Sequence, residues 1–176
     1  MKPRGQLMIE HRLIEKVLIV ANNAAQKFNE NSYDPLLIDK IVDFIRTYAD
    51  RTHHGKEEDI LFMELGKKKM DSENVNIMNE LIEEHKMARV KVREIVALNG
   101  KYKNGDKKVV FNISEIISWL AKFYPKHIEK EDKVFFPNSE KYFSSEELDE
   151  MLINFNNFDK NMIHEKYQNV YKELSN

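Results

Sequence analysis

The chain has 176 residues, a third of them charged, and a formal net charge of -2, which suits one domain with a sizeable core. The near-neutral balance and scattered lysines give no basic surface for nucleic acid or an anionic membrane. Cysteine is absent, which excludes disulfides, thiolate zinc sites, cysteine nucleophiles and protein-held iron–sulfur clusters, so any metal must rest on histidine and carboxylate.

Leu7, His11, Ile14, Leu18, Ala21, Ala25 and Phe28 alternate in steps of four and three, the buried seam of a first helix with His11 inside it. After a loop over Asn29 to Tyr33, Asp34 caps and Pro35 opens a second helix. Its apolar positions run through Ile41, Phe44, Ile45 and Tyr48 to His54, Glu58, Leu61, Phe62 and Leu65. The faces of Tyr48 and His54 differ by roughly a third of a turn, so a local irregularity is expected there. Gly66 and Lys67 to Lys69 end this helix, the lysines offsetting its carbonyl pole, and Ser72-Glu73 begins a third. Met78, Leu81, His85, Ala88, Val92 and Ile95 form the third seam.

Asn99-Gly100 is a helix stop, and Lys101 to Lys108 reads as a polar turn. A fourth helix, from about Val110 to Phe135, carries Ile116, Leu120, Phe123, His127, Glu131 and Val134 inward, with Pro125 expected to kink it just before His127. A capping box, Ser144 to Glu147, opens a fifth helix, which Asn156-Asn157 is expected to divide from a last one around Met162 to Leu174. No strand pattern competes. The expected fold is all-α, an up-down-up-down four-helix bundle over about 6–136 with a C-terminal helical extension over about 144–174, together a single domain spanning 1–176. No apolar run approaches the ~18 residues of a membrane span, and Met-Lys-Pro-Arg-Gly leads into a charged helix without a signal-peptide core, so a cytoplasmic protein without a membrane partner is expected.

Four histidines, His11, His54, His85 and His127, thus fall one apiece on four packed seams. An unpartnered buried imidazole costs on the order of 1 to 3 kcal/mol, so four together need a common partner. His54 to Glu58 and His127 to Glu131 each place a carboxylate one turn from the ring. A pair of divalent cations bridged by Glu58 and Glu131 would supply that partner, and imidazole with carboxylate but no sulfur suits iron or manganese better than structural zinc. The competing reading is a metal-free polar core network.

His53, about 100° round the helix from His54, is expected at the surface or in support of the site. His11 to Glu15 repeats the spacing but pairs as well with solvent-side lysines; Asp132 rivals Glu131 from further off the His127 face; Glu57 and Asp59 are expected to be solvated. Tyr48 is expected as a core aromatic. His164, outside the four-helix set, reads either as a surface residue or as a fifth nitrogen delivered by a C-terminal helix folded over the bundle end.

The segments Leu7 to Glu15, His53 to Phe62, Glu84-His85 and His127 to Pro137 resemble the bacterial and archaeal hemerythrin-like (HHE) cation-binding proteins, over nearly the whole chain. The resemblance implies a bundle holding two iron ions (Fe2+/Fe3+), with an oxo or hydroxo bridge, and ranks manganese second. Carried over by position, His11 and His54 serve one iron, His85 and His127 the other, and Glu58 and Glu131 bridge. The third helix departs from the oxygen carriers of the family, with Leu81 four before His85 and Arg89 four after it, and the fourth has Glu131 ahead of Asp132. The His85–His127 iron is then short of one nitrogen, which His164 would fill.

The implied function is a di-iron protein that binds or reacts with oxygen, nitric oxide or peroxide as a sensor, scavenger or weak oxidoreductase; a non-catalytic oxygen carrier or an iron store or sensor is the alternative. A helical interaction protein with a purely structural metal is a third reading. No phosphate-cradling glycine loop, Ser-His-Asp order or zinc-protease motif appears, and nothing in the sequence fixes an oligomeric state.

Overall fold

The computed structural model describes the backbone of residues 2–29 and 31–174 and the side chains of residues 2–29 and 31–166. They form five helices: α1, Pro3–Ala25; α2, residues 35–65; α3, Ser72–Lys103; α4, residues 110–139; and α5, Ser145–Leu174. No strand occurs among the described residues, and no helix is long and apolar enough to cross a membrane.

The helix starts follow their caps. Asp34 accepts from the Leu36 amide at 2.9 Å ahead of Pro35, and Asp71 accepts from the Asn74 amide at 2.9 Å to open α3. The Ser144–Glu147 box closes in both directions: the Ser144 amide donates to Glu147 Oε2, and the Glu147 amide donates to Ser144 Oγ. In the turn before α4, Gly105 takes a φ of 107°, which a side chain would resist.

Two apolar clusters fill the bundle. One gathers Ile14, Leu18, Ile45, Ala49, Ala88, Val92, Leu120 and Tyr124; the other gathers Leu7, Leu61, Phe62, Leu65, Leu81, Phe135 and Phe136. Along α1 and α3 the chain passes from the second cluster to the first, and along α2 and α4 from the first to the second, so the four helices run up, down, up and down. Each packs on its neighbour in chain order and α4 closes on α1. Full burial of side chains of this size contributes about 1.5 to 3 kcal/mol each, and the histidines lie in the belt between the clusters.

Two local departures matter for that belt. Helix α2 is α-helical over Pro35–Phe44, then π-helical over Ile45–His54 and again over Glu57–Phe62. Helix α4 runs through Pro125 as α-helix over Val110–Lys130 and turns π-helical at Glu131–Phe135, just after His127. Hydrogen bonds from i to i+5 rotate successive residues less than an α-helix does, and such turns concentrate where side chains must be re-aimed.

Helix α5 packs on α1 and on the π-helical part of α2, covering the second cluster with Met151 and Phe155. It is unbroken through Asn156-Asn157, because those two side chains face solvent while Phe155 is buried. It packs tightly on Gly55, where a Cβ would lie 2.7 Å from the Phe158 Cζ. Gly55→Ala should therefore displace Phe158 and cost about 1 kcal/mol in thermal unfolding, with a much smaller cost in a Phe158→Ala background. Equal costs in both backgrounds would mean that α5 does not rest on Gly55.

Candidate metal centre

The belt is built from helix positions that point inward at one level. His11 on α1, His53, His54 and Glu57 on α2, His85 on α3, and His127 and Glu131 on α4 are each at most 2% exposed. Their ligating atoms fall into two groups, each with atoms within 4.8 Å of one another: His11, His53, Glu57 and Glu131 in one, and His54, His85 and His127 in the other.

Two carboxylates reach across both groups. Glu131 Oε2 lies 3.2 Å from His11 Nε2, while its Oε1 lies 3.1 Å from His127 Nε2 and 3.7 Å from His85 Nε2. Glu57 Oε1 lies 3.5 Å from His53 Nε2, and its Oε2 lies 3.5 Å from His85 Nε2. Each thus offers one oxygen to each group. Both oxygens of both glutamates, together with His11 Nε2 and His53 Nε2, are buried without a hydrogen-bond partner. Buried acceptors without donors are costly, so a donor set of this kind fits cations in its midst.

The other ring nitrogen is accounted for on all five histidines. His11 Nδ1 meets Asp132 at 2.8 Å, His53 Nδ1 meets Glu10 at 2.9 Å, His85 Nδ1 meets Glu58 at 2.6 Å, His127 Nδ1 meets Glu84 at 2.6 Å, and His54 Nδ1 meets Asp50 at 3.3 Å. An Nδ1–H donated to a carboxylate fixes the tautomer that leaves the Nε2 lone pair free for a metal. The carboxylates are held in turn by cations: Asp132 by Arg12, Glu10 by Lys56, Glu84 by Lys130 at 2.7 Å, and both Glu58 and Asp50 by Arg89 at 2.8 and 2.7 Å.

Without a cation, protons settle the charge. Burial opposes charging of His11, but the hydrogen bond to Asp132 and the nearby Glu131 charge outweigh it and raise its pKa to about 9. Burial likewise opposes charging of His127, and Glu131 and then Glu84 raise it to about 10. Burial lowers His53 to about 4 and, with the fields of His85, His53 and His127, holds His54 well below the ordinary imidazole range. Burial and then the Glu131 charge push Glu57 well above the usual carboxylate range; Glu131, despite its own burial, is held well below it by His127, His11 and His85.

The structure brings together His11, His54, His85, His127 and Glu131 of the residues singled out in the sequence. It does not bring Glu58 or His164 among them. Glu58 is a quarter exposed and grips His85 Nδ1 and Arg89 from outside the belt, while the inward carboxylate is Glu57, fully buried where solvation was expected. His164 is exposed on α5 and belongs to neither group. The third histidine of the group with His85 and His127 is His54, which stacks on His85 with ring centroids 3.8 Å apart, and His53 lies beside His11. The cause is the π-helical stretch, whose smaller rotation per residue turns both His53 and His54 inward. His53 and Glu57 have the same four-residue spacing as His54 and Glu58, a signal available in the sequence. Glu10, Asp50 and Glu84, not singled out as site residues, had only their proximity to histidines as a mark.

Residues 3–153 match the sequence model of one family, Hemerythrin, described as the hemerythrin HHE cation binding domain. A search of the curated proteins finds no match.

Cation loading at neutral pH should displace the protons held by His11, His127 and Glu57, so calorimetry in buffers of different ionisation enthalpy should register release of at least two protons per chain. The sign for stability follows from the raised imidazole values. The stabilisation from His11 and His127 is fully present in the metal-free protein below about pH 6.5 and is lost as pH rises through about 9 and 10. Chelated protein should therefore lose thermal stability across that alkaline range; a flat profile there would contradict the charge assignment.

Proposed function

This chain belongs to the hemerythrin HHE cation-binding family, and we propose that its belt holds two iron ions and that the loaded protein binds or reacts with oxygen, nitric oxide or peroxide as a sensor, scavenger or weak oxidoreductase. The observation that carries the reading is the pairing of every belt imidazole through Nδ1 with a carboxylate, which leaves five Nε2 atoms unclaimed by those carboxylates, four of them beside the shared glutamates Glu57 and Glu131. His11 and His53 would hold one ion and His54, His85 and His127 the other, with Glu57 and Glu131 shared. That gives four and five protein donors, all nitrogen or oxygen. Iron or manganese, which take five or six such ligands, suits this set better than tetrahedral zinc.

When bound, two iron ions supply exchangeable electrons and coordination positions for a small ligand. The chain's own residues determine where such a ligand finds room and what it meets. The His11–His53 side has one nitrogen fewer and is the less filled of the two. Phe136 stacks on His11 at 5.8 Å and Phe62 on His85 at 6.2 Å, and with Leu7 they face the belt with apolar surface that keeps bulk water out. The carboxylates on Nδ1 keep the imidazoles basic and fixed in orientation, which favours the more highly charged state of a metal. The buried positions of His11 and His127 also hold protons that a bound cation displaces.

Anaerobic loading with ferrous iron should give two irons per chain, followed by absorption changes on adding oxygen, nitric oxide or peroxide. Glu57→Ala and Glu131→Ala should each lower bound iron below two per chain, whereas Glu58→Ala should keep two and bind them more weakly, by about tenfold to a hundredfold. Loss of one iron from Glu58→Ala with none lost from Glu57→Ala would reverse the assignment. A fully loaded protein whose spectrum ignores all three ligands would leave metal binding in place and remove the ligand chemistry.

A further inference from the structure

A cavity of about 150 Å³ opens between α2 and α3 beside the three-histidine group. Buried His54 and Tyr124 line its inner wall, half-buried Asp50 and Arg89 line it further out, and exposed Arg46 and Arg93 stand at its rim. Among the described residues, neither Arg46 nor Arg93 makes an ion pair or a side-chain hydrogen bond. Arg89 spends three N–H groups on carboxylates, Nε to Asp50 at 2.7 Å and the two Nη atoms to Glu58 at 2.8 and 3.3 Å, and a guanidinium has five. The lining thus carries three guanidiniums against one carboxylate, and that carboxylate is already paired.

We propose that this cavity is a binding site for one small oxyanion, held by Arg46, Arg89 and Arg93, and that its occupancy is coupled to the metals through Arg89. Guanidinium forks match oxyanions in geometry, and the space exceeds the roughly 30 Å³ that one water takes in the liquid, which suits an anion of the size of phosphate, nitrite or a short carboxylate. The site lies on the three-histidine side, away from the less filled His11–His53 group, so the anion does not compete with a ligand arriving there.

The coupling follows from what Arg89 touches. One guanidinium neutralises both Asp50, which holds His54, and Glu58, which holds His85. An anion that draws on Arg89 leaves both carboxylates more negative, so they pull harder on the two Nδ1–H groups and make both imidazoles stronger donors. The anion's own charge acts in the same direction, favouring the more positive metal state. By reciprocity the oxidised protein binds the anion more tightly than the reduced protein does. This coupling rests on the two-iron reading; the anion site itself does not.

Titration calorimetry with inorganic phosphate on iron-loaded protein should show one site per chain, at least about fivefold tighter in the oxidised than in the reduced state. Arg46→Ala/Arg93→Ala should weaken phosphate binding by about tenfold or more while iron content and helical signal stay unchanged. Arg89→Lys, which keeps the charge but not the fork, should bring the two redox states closer in affinity. Competition with formate and nitrite distinguishes a carboxylate preference from an inorganic one. Phosphate affinity indifferent to the double substitution, or abolished by removing iron, would overturn the site. Equal affinity in both redox states would overturn the coupling alone. An iron count near zero would instead defeat the two-iron reading, leaving the double substitution to judge the cavity.

Discussion

Four carboxylates, each from the helix that precedes in the ring, hold the Nδ1 atoms of histidines on the next helix. Glu10 of α1 takes His53 of α2, Glu58 of α2 takes His85 of α3, Glu84 of α3 takes His127 of α4, and Asp132 of α4 returns to His11 of α1. A cation from the same helix as each histidine then closes on the carboxylate: Lys56, Arg89, Lys130 and Arg12. Hydrogen bonds between charged and polar groups in low dielectric are worth much when made and cost much when broken, so this ring fixes the axial register of all four helices together. A slip of one helix by a turn would leave a buried imidazole, a carboxylate and a cation each without a partner. Apolar packing alone tolerates such slips more readily, because its attraction has no direction.

The seams of α1 and α3 were legible because regular α-helix carries its periodicity openly, and His11 and His85 came with them. On α4 His127 and Glu131 do lie inward, but Val134 is exposed and Ile116 and Phe123 are half-buried, the apolar seam running instead through Ile113, Ile117, Leu120, Tyr124 and Phe135. The α2 contribution was half legible. The mismatch between the faces of Tyr48 and His54 announced an irregularity, but its consequence, that neighbours 53 and 54 both turn inward and that Glu57 replaces Glu58, depends on i to i+5 hydrogen bonds that no side-chain pattern encodes. His54, assigned by position to the His11 side, falls instead in the group of His85 and His127. Supporting carboxylates were harder still, since Glu10 and Glu84 serve histidines on other helices, and that pairing exists only once the bundle is assembled.

Helix α5 is tied to the belt by more than apolar cover. Lys56 is wholly buried and lies between Glu10 and Asp159 of α5, 2.8 Å from the latter, while Gln6 of α1 donates to Asp159 at 2.6 Å. A buried ammonium with one partner removed is strongly destabilising. The contact at Gly55 and this pairing place α5 against the one stretch of α2 whose helical geometry the site requires, so the extension braces the π-helical turns from outside.

The belt separates the two apolar clusters. In most small domains one continuous core makes unfolding a single event, because losing any part of it exposes the rest. Here the halves of the bundle communicate across a layer of imidazoles and carboxylates whose cohesion depends on what lies between them. Held by cations, the layer welds the halves into one unit. Held by shared protons alone, the layer has fewer bonds between the halves, so the cohesion of the two cores depends on the occupant of the belt.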